Sequence, residues 1–524
     1  MIIGIDFGTC FSSSAIMNGL IPVTTFLKDS TGMGIPSTFM FSEENGEMYG
    51  EACETGYAYK HSADIIRYMK RTVREDPANL ERTVTSGGRK FTLSEVIEKY
   101  LTFLIGEIKS AAVKSGEYSN TDIEAVTITA PVGIASGQMM ASEYNKLLQD
   151  VVMRITGLPK DRVRVLQEPV AAAISYLYSE DIRSHYDDIQ KIAVFDLGGG
   201  TLDVSIVEHD PKTMEYRILA KEGDLQLGGN DWDAALRTRI LEKTGLRWSG
   251  TDEETGRFVK IVTKTKVELT DSDESLVVFT MNGQDHFTRI TREEFEDCTS
   301  DLLERAMDVL EKALEFDTES YPDRIVLVGG SSNMPQIARG VLERTGYDPE
   351  DVMVYEPSKA ISKGAAVFAK LNFSVDGSAK GPKVLDMAAL TYGFESRYGG
   401  TRDCIFNLIY KGDKFDGTGR ISRKSDTDFI PLRDDQTVVT FNVYESESLA
   451  DSGFDGDWFD FGNGETANGL RVTVQVPPEY LGRARGFRMW TTMTLDANGI
   501  LDITITDASG KKLAYGSTAL EGRE

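Results

Sequence analysis

The strongest constraint on this chain is a pattern that it carries twice. Ile3-Gly-Ile-Asp6-Phe-Gly8-Thr9 and Val194-Phe-Asp196-Leu-Gly198-Gly199-Gly200-Thr201 each read as an apolar strand, an Asp, a glycine turn and a Thr, followed by a second strand. One glycine turn after a strand usually only reverses the chain. Two matched copies predict two pseudo-equivalent lobes whose turns clamp one polyphosphate. Glycine lets backbone approach the phosphates, successive N–H groups cradle oxygens, and the Thr hydroxyl adds a donor. Asp6 and Asp196 then stand where a divalent cation on the phosphates needs a carboxylate. A third glycine pair, Gly329-Gly330-Ser331-Ser332, follows the apolar run Ile325–Val328 and precedes a helix predicted to begin near Pro335. That arrangement aims backbone amides at an anion.

Phosphoryl transfer is mostly positioning and charge neutralisation, so the parts to look for are a metal, a cation near the transferring group and a group that orients water. Asp6 and Asp196 suit the metal. Glu168, in Gln167-Glu-Pro-Val-Ala-Ala-Ala173, stands at a predicted helix start, where a carboxylate holds water or metal or is simply a helix-terminal charge. The lysines are too numerous for spacing alone to single one out.

Composition narrows the class. At roughly 150 residues per domain, a 524-residue chain holds three to four compact units. Apolar residues at 40% and charged residues at 27% are ordinary globular usage. The net charge of −26 repels nucleic-acid backbones and anionic lipid, so neither is an expected partner. Cys10, Cys53, Cys298 and Cys404 are dispersed and form no C-x-x-C pair, which suggests neither a disulfide framework nor a zinc site. With no leader-like start and no apolar run of about 20 residues, a cytoplasmic location is expected. His61, His185, His209 and His286 have no nucleophile motif beside them, which argues against a hydrolase triad.

Helical and strand patterns alternate up to about Lys370. Thr92-Leu-Ser-Glu95 is a capping box before Val96, Ile97, Tyr100, Leu101, Leu104 and Ile108. Thr291-Arg-Glu-Glu294 repeats the device before Phe295, Leu302, Leu303, Met307, Leu310 and Leu314, predicting one buried helical face. Residues 372–386 read as a linker. Beyond it strands dominate: Val438–Tyr444, Leu470–Val476, and Leu501, Ile503 and Ile505 alternating with polar residues after the Ala497-Asn-Gly499 turn. The acidic stretch with Asp451, Asp455, Asp457 and Asp460 lacks regular calcium-loop spacing and reads as a solvated loop.

These motifs together resemble the heat shock protein 70 chaperone family over nearly the whole chain. Ile3–Thr9 and Val194–Ile206 resemble its two phosphate loops, Ala130-Pro131 its subdomain-coupling proline, and Gln167–Ala173 its catalytic Glu segment. Gly228-Gly-Asn-Asp-Trp-Asp233 resembles its GGED-F-D motif, and Gly329–Ser332 its adenosine loop, with Gly364-Ala-Ala366 behind it. The resemblance implies an α/β actin-like two-lobed ATPase domain of duplicated ribonuclease H-like subdomains over residues 1–371. It implies an all-β sandwich peptide-binding domain over 387–524, without a helical lid.

It further implies ATP/ADP with Mg2+ and K+ as cofactors and slow hydrolysis of ATP. Lys70, Glu168, Asp196 and Thr201 would be the catalytic set. Asp6, Asp196 and Asp203 would hold the cations through water, with Lys70 next to the γ-phosphate and the attacking water. Nucleotide would be bound by Gly8, Thr9, Cys10, Gly198, Gly199, Gly200, Gly228, Gly229, Lys266, Thr270, Gly329, Gly330, Ser331 and Asn333. Extended apolar peptide would lie against Phe394, Phe429, Val439 and Phe441, which are equally readable as sandwich core, with Arg397 and Leu432 near the arch positions. A J-domain protein and a nucleotide exchange factor are the implied further partners.

Departures cluster around adenine. Thr263 and Val267 stand where the family has Glu and Arg, Lys266 is kept, Thr270 takes a Ser position, and Asn333 replaces the base-stacking Arg. Cys10 sits where a second Thr is usual and reads as a small buried residue. Only Val384 and Leu385 precede Asp386 in the linker, leaving less apolar area for interdomain docking. The alternatives are a nucleotide-sensing module with little hydrolysis and a non-chaperone actin-like ATPase such as a sugar kinase or polymerising scaffold.

Overall fold

The computed structural model describes residues 1–19, 21–24, 34–75, 77–114, 122–131, 138–179, 189–315, 321–373, 382–385, 391–410, 413, 420–446, 453–455, 458–460, 466–496 and 501–517. Most of the linker expected at 372–386, including Asp386, the 497–499 turn, Asp451 and Asp457 lie outside them. The protein is mixed α/β with several sheets. It divides into two compact units, one of Met1–Val132 with Leu147–Pro382, the other of Gly133–Lys146 with Lys383–Glu524.

The first unit contains the repeated pattern as two sheets of one topology. In the first, the strand Ile2–Asp6 pairs antiparallel with Phe11–Asn18, which pairs antiparallel with Ile21–Thr24. On its other side Ile2–Asp6 runs parallel to Ala125–Ala130, and that strand runs parallel to Val163–Gln167. In the second, Lys191–Leu197, Leu202–Asp210 and Glu215–Asp224 repeat the antiparallel meander, and Arg324–Val328 and Val352–Val354 repeat the two parallel additions. The central strands are buried on both faces, as parallel sheets covered by helices require. Their apolar runs are therefore near-continuous rather than alternating.

Helices seal the sheets where the sequence provides caps and apolar faces. The Thr92 box closes reciprocally: Thr92 N–H donates to Glu95 Oε2 at 2.7 Å and Glu95 N–H donates to Thr92 Oγ1 at 3.2 Å. It opens Leu93–Lys114, whose Val96, Ile97, Tyr100, Leu101, Leu104 and Ile108 are all buried. The Thr291 box closes in the same way, but the helix expected after it is two, Arg292–Cys298 and Ser300–Leu314. Thr299 makes the break. Its hydroxyl donates back to Phe295 O at 2.8 Å and exchanges a bond with Gln336, so it competes with the helical ladder. The helix Glu168–Leu177 is wholly buried, and Ala360–Phe373 packs on it and on the strand Ile2–Asp6. Gly364 permits that approach, because a Cβ there would collide with the Ala171 carbonyl.

The second unit holds an antiparallel sandwich. One sheet has the order Gly453–Asp455, Trp458–Asp460, Arg402–Ile409, Thr391–Tyr398, Val438–Ser446 and Thr466–Gln475. The other has Arg420–Lys424, Met489–Asp496, Leu501–Asp507 and Lys512–Ser517. Leu501, Ile503 and Ile505 alternate inward, and they join Tyr392, Phe394, Phe406, Phe441 and Met489 in one core. Among the described residues no helix is long and apolar enough to cross a membrane.

Candidate functional site

The two glycine turns meet. A Cβ on Gly199 would collide with Cys10 Sγ, and one on Gly200 would lie 3.1 Å from Thr9 Cγ2, so any larger residue would push the turns apart. Thr9 and Thr201 are both buried at this junction. The turn of Gly228 and Gly229 adjoins it: Gly229 N–H donates to Gly198 O at 3.0 Å and Asn230 N–H to Gly199 O at 2.8 Å. Gly228 N–H is held by Asp231 Oδ2 at 2.8 Å, which fixes the start of the helix Gly229–Thr244. Ser331 reaches the same turn, donating to Gly198 O at 2.9 Å. Gly329 adopts φ +81°, and Gly330–Asn333 forms a single 3-10 turn before the helix Pro335–Thr345. Gly8, Thr9, Cys10, Gly198, Gly199, Gly200, Gly228, Gly229 and Ser331 are thereby gathered around one junction.

The charged side chains converge on it from two hairpins and two helices. Strand register sets Asp6 opposite Ser13 in the first hairpin and Asp196 opposite Asp203 in the second. Lys70 comes from the short helix Met69–Glu75 and Glu168 from the N-terminus of Glu168–Leu177, directly after its strand. They meet at 2.5 Å, both buried. Thr129, at the end of its own strand, donates to Asp6 Oδ1 at 3.3 Å.

Electrostatics separate the carboxylates into two kinds. Burial pushes Asp6 up to about 7, with Lys70 pulling down and Glu168 pushing up. Asp196 is raised well above the usual carboxylate range by burial and by Glu168, Asp203 and Asp6 around it. Burial acts the same way on Asp203, but Arg74 outweighs it and holds that carboxyl low. Lys70 is disfavoured as a cation by burial, yet Glu168 and Asp6 more than compensate and keep it charged. Burial pushes the Cys10 thiol up, and Asn230 Nδ2 lies 3.5 Å from its sulfur.

Arg74 and Thr129 are absent from the sequence-derived set. Thr129 carried no motif signal. For Arg74 the available signal is spacing, since it lies four residues after Lys70 and so on the same face of one helix. It is buried and forks onto Asp203 through Nη1–Oδ2 at 2.8 Å and Nη2–Oδ1 at 2.6 Å.

The nucleoside-contact candidates are tied to protein. Lys266, on the helix Asp252–Asp271, is buried and donates to Gly229 O at 2.7 Å, with Asp233 Oδ1 at 2.9 Å. Thr263 holds the other Asp233 oxygen at 2.9 Å. Thr270 lies one turn beyond Lys266, and Val267 is exposed. Asn333 is exposed and bonds Gly330 O at 3.1 Å. In the sandwich, Phe394, Phe429 and Phe441 are buried, with ring centroids 4.8 Å apart for Phe394–Phe429 and 5.3 Å for Phe394–Phe441, while Val439 is half-buried at the margin. Arg397 is exposed and pairs with Asp403 at 2.5 Å.

Comparison with known proteins places the chain among relatives of one family. The family described as Hsp70 protein matches residues 2–453. The chain is 30% identical to chaperone protein DnaK 1 of a Synechococcus species, over 97% of its own length and 64% of that relative's. It is 29% identical to chaperone protein dnaK3 of Synechococcus elongatus, again over 97% and 64%. With chaperone protein DnaK of Methanothermobacter thermautotrophicus it shares 28% identity, over 99% of its own length and 80% of the relative's. The chain thus spans less than two thirds of the length of the first two of these curated relatives. On the family match over most of its residues and the convergent glycine turns, Lys70 and Glu168 included, this chain belongs to the Hsp70 family.

Proposed function

We propose that this chain is a slow ATPase of chaperone type, in which two actin-like lobes on ribonuclease H-like sheets hydrolyse ATP and the sandwich unit binds extended apolar peptide. Residues 1–371 form the nucleotide domain, 372–386 the linker and 387–524 the peptide domain. The observation that carries the reading is the meeting of the two glycine turns beside the buried Lys70–Glu168 pair. Relatives named as chaperone proteins over nearly the whole chain support the peptide function, and the proposed location is cytoplasmic. A J-domain protein and a nucleotide exchange factor are the proposed partners of the cycle.

The turns' N–H groups and the Thr9 and Thr201 hydroxyls hold phosphate oxygens; Lys70 offsets charge on the transferring phosphoryl group, and Glu168 and Asp196 orient the attacking water. Magnesium fits Asp6 and Asp196. Burial first, and the negative charge of Glu168 after it, push both carboxyls upward against the pull of Lys70, so a cation placed beside them would be stabilising. When bound, magnesium supplies neutralisation of the β- and γ-phosphates. Peptide would enter at the Val439 margin and reach the Phe394–Phe429–Phe441 cluster as the strands part.

Phosphate release from ATP with magnesium tests the reading, with and without excess extended apolar peptide. Turnover that peptide stimulates, and that Asp196→Asn lowers by about 10²-fold or more, is expected. A folded wild-type chain that releases no phosphate would overturn it.

A further inference from the structure

The resemblance implies two cations, magnesium and potassium, and the side chains here fit only the first. Asp203, the residue that separates the second hairpin from the first, is already engaged. Arg74 spends both of its terminal nitrogens on the two Asp203 oxygens, at 2.8 and 2.6 Å, and Nη1 also reaches Thr201 Oγ1 at 3.3 Å. Thr201 in turn lies 3.4 Å from Asp203 Oδ2. The arginine side chain is 5% exposed and that of Asp203 23%, so the fork is anchored on a buried guanidinium rather than lying on the surface. Its Nε is also buried and has no hydrogen-bond partner among the described residues, a donor left for a water or phosphate oxygen. No oxygen of Asp203 faces a monovalent ion without also facing the guanidinium.

The pairing agrees. Of the four carboxylates Asp6, Glu168, Asp196 and Asp203, Glu168 is paired with Lys70 and Asp203 with Arg74, which leaves Asp6 and Asp196 as the two for magnesium. A further monovalent ion would have to sit against a fixed, always-protonated cation.

We infer that the Arg74 guanidinium is a built-in monovalent cation at Asp203, one of the three carboxylates to which the resemblance assigns magnesium and potassium together, so that nucleotide turnover in this protein needs no potassium. The inference rests on the ATPase reading above, but it concerns occupancy of the Asp203 position and can be read without turnover. Arg74 contributes a permanent charge on a rigid planar fork, which cannot be exchanged for sodium or lost in dilute salt. Potassium would be selected by size and exchange with the medium.

The test has two arms. In the first, ATP turnover of the full chain is measured with magnesium in potassium chloride and in tetramethylammonium chloride of equal ionic strength. Rates agreeing within about threefold are expected, and a larger fall without potassium would overturn the inference. In the second, crystals of the magnesium–ADP complex are grown in rubidium chloride and the anomalous signal is mapped. Wild type should show no rubidium in contact with Asp203, whereas Arg74→Ala should show it. Rubidium beside Asp203 in wild type would overturn the inference, as would its absence from a folded Arg74→Ala. If Arg74→Ala does not fold, the wild-type map alone decides. A chain that hydrolyses nothing yet excludes rubidium fails the ATPase reading while keeping this one.

Discussion

Lys70 and Glu168 allow a structural role to be separated from a chemical one. Their contact is 2.5 Å between side chains that are 6% and 7% exposed. Replacing Lys70 by Met removes one charge and leaves the other buried, which for such pairs costs about 3–5 kcal/mol. Glu168→Gln removes the other charge, and Lys70 still has Asp6 to face, so the cost should lie at or below the low end of that range, about 2–3 kcal/mol. In the double variant neither charge is stranded, and the loss should fall to about 1–2 kcal/mol rather than the sum of the two. The unit that holds the pair has about 370 residues, so its unfolding entropy is about 0.8 kcal/mol/K and each 3 kcal/mol lowers Tm by about 4 °C. Differential scanning fluorimetry of the three variants should therefore show two clear downward shifts and a recovery in the double variant. Turnover should not recover. All three variants should lie about 10²-fold or more below wild type, because the cation and carboxylate are needed for chemistry whether or not the fold is relieved. A double variant whose Tm falls by the sum of the single losses would refute the pairing argument, and one that regains turnover would refute the catalytic one.

Two further outcomes follow from other parts of the molecule. Burial works against the charge on Glu294, but Lys243, the Thr291 N–H and Arg239 outweigh it and hold the carboxyl at about 2. A depressed carboxyl contributes stability that is complete above its unfolded value near 4.3 and is lost as pH falls toward 2. Glu294→Gln should cost about 1–2 kcal/mol at neutral pH after allowance for partly exposed partners, and the Tm gap should close on acidification. A gap that stays constant with pH would sink this account. In the sandwich, Phe441→Ala should lower the stability of its unit by about 3–5 kcal/mol because the ring is 3% exposed in an aromatic core. Val439→Asp, at the half-buried margin, should leave the unit folded and weaken binding of a fluorescent extended peptide; unchanged affinity in that folded variant would remove Val439 from the binding surface.

The parts of the site that were legible in the sequence are those whose geometry is local. Asp6 and Asp196 sit at fixed offsets from a glycine turn, so strand, turn and carboxylate are specified within a few residues. The two matching meanders follow from the two copies. Glu168 was legible because a strand runs straight into a Pro-started helix. Arg74 was not, because nothing near it in sequence indicates a partner; its meaning comes from Asp203, brought in by the other sheet. The residues proposed for the peptide groove show a different limit. Phe394 and Phe441 lie on inward faces of strands and Phe429 on an isolated bridge to Met489, and an inward apolar face has one sequence pattern whether it closes on itself or opens to a peptide. The break at Thr299 escaped for a third reason: apolar spacing continues through it, and only a hydroxyl turned back onto Phe295 marks the end of the first helix.

The apposition of Thr9 with Gly200 and of Cys10 with Gly199 has a mechanical meaning. The two turns belong to separate sheets and come from distant stretches of chain, so a molecule seated on both behaves as a removable rivet. With it in place, shear between the sheets must break the grip on the molecule; without it, each sheet answers to its own packing. Occupancy of a few polar atoms at the seam therefore sets how far the halves flex independently, and adds to the thermal resistance of both in proportion to the logarithm of ligand concentration.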